Sequence, residues 1–195
     1  MSAAREARTE RITKETRLAV SVRIDGRGAA GVEAPLPFFV HMLESFTKYS
    51  GMDVQLRGSG DVEVDAHHLV EDCGLVLGAA VSEALGDRVG IRRFGHAYAP
   101  LDEALVRCVV DYGKRPYVAY EMSALQGRIN DFDVAVLAEF VKGYAQAVGA
   151  SVHVDCIRGE NPHHIAEAAF KALGLATRDA FERIGTDIPS TKGVL

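Results

Sequence analysis

Residues 15–24 alternate apolar and polar side chains, the two-residue period of a strand with one buried face, and Asp25-Gly26 closes the run with a turn. A short second strand follows near 29–34. Pro35-Leu36-Pro37 then introduces a different rhythm. Phe38, Phe39, Met42, Leu43, Phe46 and Tyr49 recur at helical spacing, which predicts a helix, and Gly51 is placed to end it. Two strands are predicted next, at about 52–57 and 61–65, joined by Gly58-Ser59-Gly60. A second helix is predicted over about 66–85, running from Ala66 to Gly86.

The same order then recurs. Strands are predicted at about 90–98, 104–111 and 116–122. A helix follows at about 132–149, with Val134, Leu137, Ala138, Val141 and Tyr144 on one stripe and Gly149 as its stop. A strand at 150–157 leads through Gly159 into a last helix of about 162–183. No stretch is rich enough in Pro, Gly or Ser to be a flexible linker. The pattern describes an α+β chain of two internally duplicated halves, 1–88 and 89–195, each a sheet covered on one face by two helices.

Composition narrows what such a chain does. Its 195 residues are 48% hydrophobic and 25% charged, enough apolar material for a sizeable core and unlike a disordered chain. The balance of 22 Lys+Arg against 27 Asp+Glu, a net charge of −5, argues against nucleic acid as a partner, since phosphate counterions are released by a basic face. A local basic pocket for one small phosphate is compatible with it. No apolar run approaches the roughly 18–20 residues that span a bilayer, and the charged N-terminal stretch lacks the apolar segment of a secretory signal. Cys73, Cys108 and Cys156 are odd in number and lack any Cys-x-x-Cys pair, which suits buried thiols in a reducing, cytoplasmic setting.

The duplication is also visible in letters. His67-His68-Leu69-Val70-Glu71 heads the last helix of the first half, and His163-His164-Ile165-Ala166-Glu167 heads the last helix of the second, ninety-six residues on. On a helix, positions i and i+4 share a face, so His67 with Glu71, and His163 with Glu167, converge on one point. His68 and His164 point about 100° away from their neighbours, so each helix is suited to serving two different ions. Imidazole with carboxylate suits Mn, Fe, Zn or Ni better than Ca or Mg. One such motif alone reads as solvated histidines at a helix start; two in matching places point to metal. His41 and Glu139 extend the symmetry, lying 26 and 24 residues before His67 and His163 on the preceding helix of each half.

The stretches FFVHML (38–43), DAHHLVEDCGLVLG (65–78), RRFGHAYAPLDEAL (92–105), GENPHHIAEAAFKAL (159–173) and IPSTKGVL (188–195) resemble imidazoleglycerol-phosphate dehydratase, an enzyme of histidine biosynthesis. The resemblance runs from Arg11 to Leu195. It implies a large symmetric homo-oligomer of 24 subunits, with active sites between subunits that each hold two Mn2+ ions. It implies removal of water from D-erythro-imidazole glycerol phosphate to give imidazole acetol phosphate. One ion would take His41, His68, His163 and Glu167, and the other His67, Glu71, Glu139 and His164. Substrate contacts would fall on Glu15, on 41–49 including His41, Lys48 and Tyr49, on the ligands His67, Glu71, His163 and Glu167, and on Arg93, Arg115, Ser190, Thr191 and Lys192.

The phosphate part of that set has its own logic: guanidinium grips phosphate through two parallel bonds, and Ser-Thr-Lys adds hydroxyl donors and a charge. The general base is Glu15 or Glu71. The chain departs from the family pattern at several places. Val40 replaces an Asp before the first ligand histidine, Glu139 stands where many members have His, Tyr112-Gly113-Lys114 precedes Arg115, and the segment before Ile188 is about three residues short. Two other functions share the metal motif: a dimetal lyase or hydrolase of different substrate, and a non-catalytic assembly in which metal only joins subunits.

Overall fold

The structure, a computed structural model, describes residues 4–195; the first three residues of the charged N-terminal stretch lie outside it. Its first half runs β1 (Glu6–Ile12), β2 (Thr16–Arg23), β3 (Ala30–Glu33), α1 (Pro37–Ser50), β4 (Asp53–Gly60) and α2 (His67–Leu85). The second runs β5 (Phe94–Leu101), β6 (Ala104–Asp111), β7 (Tyr117–Glu121), the short β8 (Arg128–Ile129) and β9 (Phe132–Asp133), α3 (Leu137–Val148), β10 (Ser151–Arg158) and α4 (Pro162–Phe181). The two four-stranded sheets have one topology, β1-β2-β4-β3 and β5-β6-β10-β7. In each, the edge strand β3 or β7 is parallel to its neighbour and the other pairs are antiparallel. The β8–β9 hairpin has no counterpart in the first half.

The alternation of the central strands explains the core. Leu18, Val20 and Val22 of β2, Val54 and Leu56 of β4, Val106, Cys108 and Val110 of β6, and Val152 and Val154 of β10 all point inward and are buried. α2 lies on β1 and β2, and α4 on β5 and β6. The halves meet through their helices, α1 against α4 and α2 against α3. These contacts are close enough to need glycine. A Cβ on Gly78 would stand 2.6 Å from the Tyr144 carbonyl oxygen and 3.0 Å from Val148 N, and one on Gly174 would stand 2.8 Å from the Phe46 oxygen and 3.0 Å from Ser50 N. Each pair therefore runs parallel, with its N-termini at one end.

Several elements differ from the hydrophobic pattern. β1 is an additional strand, an edge carrying Glu6, Arg8, Glu10 and Arg11, whose charges hide its period while discouraging edge-to-edge pairing. Gly58-Ser59-Gly60 is no turn: β4 continues through it, pairing Gly58 with Leu18 and Gly60 with Thr16, and 61–65 forms the turn instead. Gly58 is small because a Cβ there would meet Leu18 Cδ2 at 2.8 Å under α2. The strand predicted from 90 begins at Phe94, and the helix predicted from 132 opens as β9 and a 3-10 turn before α3. Buried Asp72 accepts from Thr16 Oγ1 and, at 2.8 Å, from Arg11 Nε, which fastens the β1–β2 hairpin to α2 and so fixes where Glu15 lies.

Candidate metal centre and substrate site

Both His-His-x-x-Glu motifs open helices. Asn161 caps α4, its Oδ1 accepting from His163 N at 2.9 Å with Pro162 behind it, and Asp65 Oδ1 accepts from His67 N at 2.8 Å at the start of α2. A helix N-terminus carries partial positive charge and by itself repels a cation, so the glutamate one turn further on is what makes these ends hospitable to metal.

Three donors come together in one chain. His41 Nε2 from α1 and His163 Nε2 from α4 lie 3.2 and 3.3 Å from the same oxygen, Oε2 of Glu167. Among the described residues, His41, His163 and Glu167 form the group whose ligand atoms all lie within 4.8 Å of one another. Two imidazole nitrogens and a carboxylate oxygen facing a common point are the donor set of a borderline divalent ion. The second oxygen of Glu167 accepts from Lys171 Nζ at 2.8 Å. Burial opposes ionisation of Glu167, but the Lys171 and His41 contacts outweigh it and hold its carboxyl below the usual range. Phe38 packs edge-on against the His163 ring, 5.3 Å between centroids, and covers one side of the cluster.

The second helix pair repeats the backbone arrangement, but among the described residues its predicted ligands His67, Glu71 and Glu139 do not close within 4.8 Å of one another as the first three do. Gly78 and Gly174 correspond at a separation of 96 residues, whereas Tyr144 and Phe46, the carbonyls they meet, correspond at 98. The same two offsets carry His163 to His67, Glu167 to Glu71 and His41 to Glu139. Glu139, in the first turn of α3, thus occupies the place on its helix pair that His41 occupies on the other. Its Oε1 is held by Lys142 Nζ at 2.8 Å.

His68 and His164 turn aside, as helical geometry requires: each ring is about perpendicular to its neighbour's, at 81° and 82°. Neither joins the His41 cluster. His68 Nδ1 faces Asp61, with Oδ1 at 3.2 Å and Oδ2 at 3.1 Å, and lies 3.8 Å from Glu15 Oε2. His164 Nδ1 lies 2.7 Å from Glu103 Oε2. The hydrogen bonds that these imidazoles give to Asp61 and Glu103 raise the pKa of each ring.

The basic residues gather elsewhere. Arg93 gives Nε and Nη2 to Asp111, at 2.6 and 3.0 Å, and Nη1 to the Pro189 carbonyl at 2.8 Å, so it anchors the tail that carries Ser190, Thr191 and Lys192. Arg115 is exposed, its Nη2 3.9 Å from Asp111. Arg93 N also bonds Ala180 O near the C-terminal end of α4. His163 is at the other end, about 25 Å away at 1.5 Å per residue. Lys48 is exposed at the end of α1, and Tyr49 lies beneath Lys171 Nζ, 5.6 Å from the ring centre. Glu103 and Asp111 were not legible from the sequence, because they meet partners 61 and 18 residues away; Asp61 and Lys171 lie seven and four residues from His68 and Glu167, and for Lys171 the i, i+4 rule was the signal that could have found it.

Two parallel helix pairs, each opening on a His-His-x-x-Glu turn and facing a duplicated pair of sheets, define an α+β protein with a histidine–carboxylate cluster at one end of its α1–α4 pair. A sequence profile of imidazoleglycerol-phosphate dehydratase matches residues 34–177. The imidazoleglycerol-phosphate dehydratase of Bordetella avium is 45% identical over 98% of this chain and its own full length, and that of Phenylobacterium zucineum 46% identical over 98% and 99%. The crystal structure of the Pyrococcus furiosus enzyme in complex with (S)-C348 superposes with a TM-score of 0.84 at 37% identity, covering 96% of this chain and all of that one. The Staphylococcus aureus enzyme superposes at 0.82 with 32% identity, over 91% and 99%. The chain belongs to the imidazoleglycerol-phosphate dehydratase family.

Proposed function

We propose that this protein removes water from D-erythro-imidazole glycerol phosphate to give imidazole acetol phosphate in histidine biosynthesis, using two Mn2+ ions per site, as a cytoplasmic homo-oligomer of 24 subunits with sites between subunits. The observation that carries the reading is the convergence of His41 Nε2, His163 Nε2 and Glu167 Oε2 on one point. Their chemistry fits the group, being nitrogen and carboxylate donors with no thiolate, and His68 from another copy would complete the set. His67, Glu71 and Glu139, with His164, would hold the second ion. Bound Mn2+ would supply Lewis-acid stabilisation of negative charge on the substrate imidazole.

The chain's own residues do the rest. Glu15, more than half exposed beside His68, is free of metal duty and takes the proton from C2 of the glycerol chain as general base. Glu71, at the ligand position of its helix, serves the ion instead. The C3 hydroxyl leaves as water, and the resulting enol tautomerises to the ketone without redox change. Arg115 and Ser190, Thr191 and Lys192 bind the phosphate, with Arg93 holding the tail in place.

One chain does not assemble this constellation, since about 25 Å of α4 separates Arg93 from His163, more than a small phosphate ester bridges. Self-assembly supplies the missing parts from other copies. The outer face of the β5-β6-β10-β7 sheet exposes Phe94, Tyr98 and Tyr117 at 54–61%, apolar surface of the kind that subunit contacts cover. Among the described residues, no helix is long and apolar enough to cross a membrane. The deciding experiment incubates the manganese-loaded protein with imidazole glycerol phosphate and follows the ketone by mass spectrometry. Ketone formation that stops on chelation and returns with Mn2+ is expected; a fully loaded protein that forms none refutes the proposal.

A further inference from the structure

His68 and His164 occupy corresponding places on α2 and α4, and in both it is Nδ1, not Nε2, that faces a carboxylate. Glu103 Oε2 stands 2.7 Å from His164 Nδ1, and Asp61 places its two oxygens 3.1 and 3.2 Å from His68 Nδ1. Glu103 is itself fixed, its Oε1 accepting from the backbone N–H groups of Glu160 at 3.2 Å and Asn161 at 2.8 Å, the latter the cap of α4. Capping residue, carboxylate and imidazole form one hydrogen-bonded unit. Both oxygens of the Glu103 carboxyl are thereby engaged, Oε1 by the two backbone N–H groups and Oε2 by the imidazole. His164 Nε2 is left with Asp102 Oδ2 at 3.9 Å, beyond hydrogen-bond range.

The topology adds a second observation. Glu103 immediately precedes β6 and Glu15 immediately precedes β2, and these strands hold the same place in their sheets. The duplication therefore put one hairpin glutamate beside each diverging histidine. In the second half that glutamate is engaged. In the first half Asp61 holds the histidine, and Glu15 remains 3.8 Å away.

We infer that Asp61 and Glu103 are positioning residues for cation binding: each accepts the Nδ1 proton of its histidine, fixes that tautomer and leaves Nε2 as the ligand atom, and Asp61 thereby frees Glu15 for the substrate. The inference rests on the metal-dependent reading above. Loss of such an outer partner costs 10–100-fold in metal affinity.

Equilibrium dialysis of the full oligomeric protein against Mn2+, with the bound ion counted by elemental analysis, tests it without any assay of turnover. Glu103→Ala and Asp61→Ala are expected to weaken one of the two ions about 10–100-fold and leave the other within about twofold. Glu103→Gln has one acceptor oxygen, which the backbone N–H groups of Glu160 and Asn161 retain, and it turns an amide N–H donor toward His164 Nδ1; it is expected to fold as wild type does and still to weaken the same ion, which a merely structural role for the side chain would not produce. If Glu103→Ala does not fold, Asp61→Ala decides, because that side chain bonds no backbone group of the helix start. Alanine variants whose affinities for both ions stay within about twofold of wild type overturn this inference alone. A wild-type protein that takes up no Mn2+ overturns the metal-dependent reading and this inference with it.

Discussion

Gly78→Ala tests the close contact between α2 and α3. In an exposed helix the change stabilises by about 1 kcal/mol, since alanine loses less backbone freedom than glycine. Here the new Cβ would stand 2.6 Å from the Tyr144 carbonyl oxygen, 2.9 Å from Ala147 Cβ and 3.0 Å from Val148 N, and ordinary contact begins at 3.4 Å. The obstruction is backbone and does not swing aside, so α3 must retreat by about 0.8 Å, the shortfall at Tyr144. That retreat strains the buried hydroxyl chain in which Tyr144 meets Tyr112 at 2.9 Å and Tyr112 meets Thr177 at 2.8 Å. Overpacking of this kind costs about 1–3 kcal/mol. Net of helix propensity, the change is a loss of up to about 2 kcal/mol, or up to about 8 °C in a protein of this size, in place of the gain of about 1 kcal/mol at an exposed site. Metal-free wild type, Gly78→Ala and the exposed control Glu83→Ala are to be melted by calorimetry at one protein concentration, since assembly couples stability to concentration. The control is expected within about 0.5 kcal/mol of wild type. A Gly78→Ala protein that gains the stability of about 1 kcal/mol expected at an exposed helix site refutes the close-packed α2–α3 geometry and with it the argument that Glu139 mirrors His41.

Three further outcomes follow from the same structure. Arg88, 2% exposed, donates to the carbonyls of Tyr112, Val148 and Gly149; Arg88→Met leaves all three without that donor and is expected to cost about 3 kcal/mol, read as a lower midpoint in urea. Asp25 is held below its usual 3.8 by hydrogen bonds from Arg5, so its contribution is present above that value and is lost as pH falls through the lower folded one. Because its side chain is 59% exposed the effect is small: Asp25→Asn should be less stable by up to about 1 kcal/mol at pH 7, with the difference shrinking as pH falls below 3.8, and a difference that does not change with pH counts against the ion pair. Glu15→Gln should leave bound Mn2+ unchanged while turnover falls at least about a hundredfold, and near-normal turnover removes Glu15 as the base.

The sequence by itself determined what depends on neighbours along the chain. An i, i+4 relation on a helix is local geometry, so His67 with Glu71 and His163 with Glu167, and the divergence of His68 and His164, followed from letters and the 3.6-residue turn. The central strands were legible because one buried face imposes a two-residue period, and the duplication because both halves repeat it.

Tertiary structure decided what depends on pairing across the fold. β1 has too few apolar positions to show a period and exists because β2 offers it hydrogen-bond partners from Glu6↔Arg23 to Ile12↔Arg17. Gly58-Ser59-Gly60 carries the letters of a turn, yet it extends a strand because β2 offers it antiparallel partners through Leu18, Arg17 and Thr16. Only the parallel helix pairs bring His41 to Glu167, 126 residues away, and only the turns at Asp61 and Glu103 set carboxylates against imidazoles. The physical reason is the range of the forces that act: helical periodicity needs a few consecutive residues, whereas strand register, helix–helix contact and hydrogen bonds between distant turns are fixed by the packed core as a whole.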